Sequence, residues 1–146
     1  MATCRASYWS GSTAEAVAAA LIRWAFIAAG ISGLLAVAIG AFGAHALRDA
    51  LGADMRAVFE TAGHYHFVHT LALLLVAIAP AAGIPRAPLV LAGLAWSFGI
   101  VVFSGSLYLL AVTGIGWLGA VTPIGGVAFL LGWGAVIVGG CYRESR

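Results

Sequence analysis

Three histidines stand at positions 64, 66 and 69 of the stretch TAGHYHFVHTLALLL, residues 61–75, where an otherwise apolar run begins. Imidazoles at such spacing could ligate a metal or haem, exchange protons, or hydrogen-bond across helices. At 100° per residue, Ala62, Tyr65, His66, His69, Leu73 and Val76 share one helical face, while Glu60, His64 and Phe67 lie opposite. The three imidazoles therefore cannot all enter one pocket. His66 and His69, joined by His45, could start a metal set, but no cysteine or acid at suitable spacing completes it. Cys4 and Cys141 lie near opposite ends of the chain and match no paired or ligand spacing. A serine hydrolase would need a nucleophile, a base and an orienting acid in contact. Ser104 and His69 could meet, yet G-x-S-x-G is absent, and Asp49, Asp54 and Glu60 fall in or beside the first loop. We therefore expect no catalytic set, no metal and no cofactor, and lean against an enzyme.

The elements that position these side chains follow from composition. Of 146 residues, 63% are hydrophobic and 8% charged, with a mean hydropathy of +1.07. Soluble domains carry roughly 25% charged residues, so this chain cannot cover a water-facing surface and must lie in a membrane. The net charge of +2 forms no basic stripe with aromatic platforms, which excludes nucleic acid.

Four apolar stretches are long enough to cross, at about 24–45, 61–80, 88–111 and 118–140. The first, Trp24 to Ala44, holds 21 residues, or roughly 31 Å of helix against a hydrocarbon core of about 30 Å. The second is short unless its helix begins near Asp54, which could cap it, with Arg56 and Glu60 as an i,i+4 pair on the wet turn. GIPRAP, residues 83–88, reads as a tight turn. The predicted fold is all-α: one transmembrane domain, residues 23–146, of four helices with short loops. Residues 1–22 form an extension, either flexible or a short interfacial helix opened by a capping box from Ser12 to Glu15. Ala44-His45-Ala46 imitates a signal cleavage site, but the apolar run is longer than the 7 to 15 residues of a signal core, so span one is expected to be retained. Four spans put both termini on one side. Arg5, Arg23, Arg86, Arg143 and Arg146 flank that side, against Arg48 and Arg56 on the other, which predicts cytoplasmic termini by the positive-inside rule.

Small residues are the usual packing device between helices in lipid. Ala36, Gly40 and Ala44 repeat at four-residue spacing with Gly33 seven before Gly40, and Gly125, Gly132 and Gly139 form a heptad. Polar motifs then fall in one half of the membrane, away from the termini: GAFGAH ends the first span, GHYHFVH opens the second, FSGSLY lies late in the third and TPIGG opens the fourth. Ser97, Val101, Ser104, Tyr108 and Ala111 share a stripe on the third helix, from which Ser106 points away. The predicted constellation is His45, His69, Ser104 and Tyr108, with Tyr65 and His66 at its edge and Thr122 nearby. Each also has a plainer role: headgroup contacts for the histidines, a carbonyl of the preceding turn for the serines, belt anchoring for the tyrosines. Thr122 and Pro123 read as an N-cap and first helical position. A transporter would show internal repeats or helices broken at mid-membrane, and no convincing repeat is present.

GAFGAHAL at 40–47, Tyr65 and His69 before TLALLLVAIA, FSGSLYLL at 103–110, and TPIGG at 122–126 with Gly132-Trp133 resemble the YgdD-like family of small membrane proteins. The resemblance spans about residues 24–142. It implies a four-helix membrane protein without an established activity, with bacterial inner-membrane members and eukaryotic relatives described as small transmembrane proteins. The family pattern Y-Q-x-x-H matches Tyr65 and His69, places His66 where glutamine is usual, and leaves His64 unmatched. A position that accepts either residue suits hydrogen bonding. The leading expectation is a structural or accessory inner-membrane protein whose polar cluster locks helices or meets lipid, a second copy or a larger membrane complex. The alternative is a binding or transport module for a small polar ligand or proton.

Overall fold

Uninterrupted apolar sequence becomes helix because backbone N–H and C=O groups in hydrocarbon must pair within their own segment. In the computed structural model, which describes residues 13–47 and 50–141, the helices are α1 (Thr13–His45), α2 (Ala53–Ile78), α3 (Arg86–Gly99), α4 (Gly105–Thr113) and α5 (Leu118–Cys141). A 3₁₀ turn, Ala79–Ala82, follows α2, and a π turn, Ile100–Ser104, joins α3 to α4. Because that turn continues the helix, α3 and α4 make one span, and the four long apolar segments are Arg23–His45, Ala53–Ile78, Arg86–Thr113 and Leu118–Cys141. The protein is an integral four-span bundle, as its composition dictates.

α1 runs unbroken for 33 residues, about 50 Å, so its first turns extend beyond a hydrocarbon core and join the span without a break. Ser12 of the expected capping box, Cys4, Arg48, Asp49 and the arginines at 5, 143 and 146 lie outside the described residues.

Helix ends correct two expectations. Gly52, not Asp54, is the N-cap of α2, and Asp54 sits within the first turn, where its carboxylate faces the positive end of the helix dipole. Thr122 and Pro123 do not start the last helix, because α5 begins at Leu118 and holds Pro123 inside. The missing N–H of Pro123 falls in the second turn, close enough to the helix start that little of the ladder is lost. Two turns depend on glycine: Gly83 at φ 78° closes the 3₁₀ turn and Gly114 at φ 70° ends α4, a backbone region costly for other L-residues.

Packing follows the glycines of α5. A Cβ on Gly125 would strike the Phe103 backbone, one on Gly132 the Trp96 indole, and one on Gly139 would come within 3.1 Å of Pro88. The heptad thus seats the whole third span against α5. On α1 a Cβ at Gly33 would meet the Thr70 methyl at 3.5 Å and one at Gly43 would strike the Phe59 ring, whereas Gly40 faces open space. α1 packs along α2 and touches α3 chiefly where Trp24 lies over Gly93. Its outer face, including Ile27, Leu34 and Val37, is turned to lipid.

Candidate functional site

Two polar assemblies occupy the bundle, one built around each buried histidine of α2. The first is His69. Its Nδ1 lies 2.8 Å from the Tyr65 carbonyl oxygen, which can only accept, so Nδ1 carries the proton. Nε2 is then the acceptor, and the Trp133 indole N–H donates to it at 3.2 Å. The ring stacks on Phe129 with centroids 3.5 Å apart and planes 9° from parallel. Trp96 and Trp133 pack together at 4.8 Å, and Tyr65 leans on Phe103 at 4.6 Å. Both ring nitrogens of His69 are engaged, and an aromatic wall covers one face.

His66 organises the second assembly. Thr70 donates its hydroxyl to the His66 carbonyl at 2.8 Å, as threonines within helices commonly do. Its oxygen can therefore only accept from Ser32, 2.6 Å away. With the Ser32 proton spent, Ser32 accepts from His66 Nε2–H at 3.1 Å. This leaves Nδ1 to accept from the Tyr108 hydroxyl at 3.4 Å. The chain therefore has one polarity throughout: Tyr108 to His66 to Ser32 to Thr70 to a backbone carbonyl. It ties α4, α2 and α1 together and leaves the imidazole neutral.

Ser104 lies beside this chain. It is 1% exposed, and its hydroxyl has no hydrogen-bond partner among the described residues. The cause is local. Ser97 and Ser106 return their protons to the carbonyls of Gly93 and Phe103, but within the π turn the Ile100 carbonyl is taken by the Gly105 N–H. The inserted residue also shifts the helical phase by about 100°. Val101, expected on the inward stripe, is 72% exposed. Ser106, expected to point away, is buried and 3.0 Å from Thr122 on α5.

The predicted constellation is thereby rearranged. His45 is exposed at the last turn of α1 and joins neither assembly. Tyr108 meets His66 rather than His69, whose partners are Tyr65 and Trp133. His64 faces outward. Ser32, Thr70 and Trp133 carry hydrogen bonds that sequence reasoning did not assign. A signal existed for Ser32, the only hydroxyl residue between Arg23 and His45, and for Thr70, four residues after His66. Among the described residues, no group of three metal-ligating side chains gathers.

Two cavities flank these assemblies. One, of about 420 Å³, opens at the α1–α2 connection among Gly43, Leu47, Phe59 and Glu60. The other, of about 410 Å³, lies between α1 and the third span, with His66, Ser104 and Tyr108 in its wall.

The family model described as "Protein of unknown function (DUF423)" matches residues 39–126. The chain is 44% identical over 108 residues to the UPF0382 membrane protein YwdK of Bacillus subtilis, covering 74% of this chain and 88% of that protein. It is 42% identical over 122 residues to the UPF0382 inner membrane protein YgdD of Escherichia coli, covering 80% and 88%. The UPF0382 membrane protein SSP2132 of Staphylococcus saprophyticus is 44% identical over 109 residues, covering 75% and 89%. No solved structure matches.

Proposed function

We propose a non-catalytic role for this chain, which belongs to the DUF423 family: a structural or accessory protein of the inner membrane, held in one helical register by its buried hydrogen bonds. The observation that carries this reading is the state of His69. With Nδ1–H given to the Tyr65 carbonyl and Nε2 receiving the Trp133 N–H, it has no lone pair for a metal and no free proton for general acid work. Asp54 and Glu60 are both exposed on α2, so neither supplies a buried carboxylate to orient a base. What such a bundle offers is surface: lipid, a second copy, or another membrane protein against the apolar faces of α1 and α5. The arginine distribution supports cytoplasmic termini as part of the same reading.

The test is a pair of substitutions at one position. His69→Gln keeps an acceptor for Trp133 and should lose little stability. His69→Ala strands the Trp133 N–H and removes the stack on Phe129. Membrane hydrogen bonds average about 0.6 and reach about 1.7 kcal/mol, and aromatic stacking adds roughly 0.5–1.5 kcal/mol, so a loss of about 2 kcal/mol is expected on unfolding in mixed micelles. Equal losses of stability from both variants would sink the locking role.

A further inference from the structure

The cavity between α1 and the third span is a built site with one unspent hydrogen-bond donor. We propose that it takes a neutral, headgroup-free lipid bearing a carbonyl group, of the long-chain quinone class, with the carbonyl oxygen accepting from Ser104.

Four observations lead there. Donors in the wall are otherwise committed: Tyr108 to His66, His66 to Ser32, Ser32 to Thr70, Thr70 to a carbonyl, and Ser97 to the Gly93 carbonyl. Ser104 alone keeps its proton, and its side chain is almost fully buried where it lines the cavity. The occupant must therefore present an acceptor.

Depth then removes most lipids. Ser32 is nine residues beyond Arg23 and thirteen before His45, about 14 and 20 Å from the two ends of the span. The polar floor thus lies within the hydrocarbon, below the zone where glycerol ester carbonyls and headgroups reside. A carbonyl reaches that level only on a molecule that no charged head holds at the surface.

Charge agrees, because no acidic or basic side chain among the described residues lines the cavity and its histidine is neutral by its bonds. A phosphate or ammonium group would be unpaired there. Finally, the walls above the floor are apolar, with Ile31 and Leu35 on α1 facing Val101 on the third span, and Leu73 behind. Volume and lining suit a ring with an alkyl tail leaving sideways into lipid, since small-molecule sites commonly enclose about 300–1,000 Å³. The site binds independently of the His69 lock, so the outcome at His69 does not bear on it.

The experiment titrates decylubiquinone into the full chain in dodecylmaltoside and follows thermal unfolding by near-ultraviolet circular dichroism. Decylbenzene, which has the tail and a ring but no carbonyl, is titrated in parallel. The wild type should show a saturable rise in Tm with decylubiquinone and none with decylbenzene. Ser104→Ala removes a hydroxyl that no group among the described residues uses, so it folds, and its half-saturating concentration should rise about tenfold, the worth of one ordinary hydrogen bond. Val101→Trp, at an outward position on the cavity wall, should fold and abolish the rise by filling the space. Three results would overturn the proposal: no saturable rise in the wild type, an equal response to decylbenzene, or an unchanged half-saturation in Ser104→Ala.

Discussion

Thr70 has one proton to give, and its donation to the His66 carbonyl orders every hydrogen bond upstream of it. The consequence is coupling between residues on different helices. Thr70→Val removes the acceptor for Ser32, and Ser32→Ala removes the acceptor for His66. Once one of these is gone, losing the other should cost less, so the double variant should be less destabilised than the sum of the singles. The expected coupling is about 0.6–1.7 kcal/mol, read from a double-mutant cycle in mixed micelles. Strictly additive losses would mean that the chain does not act as a unit. At this scale sequence offered candidates without partners. Helical angles put His66 and His69 on the buried face and His64 outside, as the structure has them. Yet which histidine met Tyr108 could not be read, since that depends on how far α4 is rotated by a turn whose extra residue leaves no compositional mark.

Between elements, the glycines of α5 differ from those of α1 in what they face. A methyl on Gly125 meets the backbone of Phe103, which cannot swing aside, and on Gly132 it meets a Trp96 ring that is itself wedged against Phe129 and Trp133. Gly125→Ala and Gly132→Ala should each destabilise by about 1–3 kcal/mol, the usual cost of overpacking. Gly139→Ala meets Pro88 at 3.1 Å and should cost less. Gly40→Ala has open space and gains helix propensity, up to about 1 kcal/mol. Ranking these four by denaturant midpoint checks the arrangement, and a Gly40 variant as damaged as Gly125 would contradict it. The heptad is plain in the sequence because a repeat of seven returns to one helical face. The absence of a neighbour at Gly40 is not, because Gly40 lines the cavity at the α1–α2 connection, and a gap is a property of two helices together.

For the whole molecule, length and hydropathy decide that four helices cross, and arginine placement sets the expected orientation. A C-terminal green fluorescent protein fusion should fluoresce and a C-terminal alkaline phosphatase fusion should be inactive, the signature of a cytoplasmic terminus; the opposite pair of results would reverse the orientation. Moving two arginines into the α1–α2 connection should weaken that bias.

Taken by itself, the sequence determined that this chain lives in lipid, crosses four times and turns at Gly83. Those conclusions rest on local quantities: hydrophobicity, chain reach, and the conformations open to glycine and proline. Tertiary structure alone decided that His69 is saturated by Tyr65 and Trp133, that His66 heads a chain through Ser32 and Thr70, and that Ser104 keeps an unspent proton beside a cavity. A hydrogen bond needs two groups within about 3 Å and aligned, and one π turn in the third span changes that alignment for every residue after it.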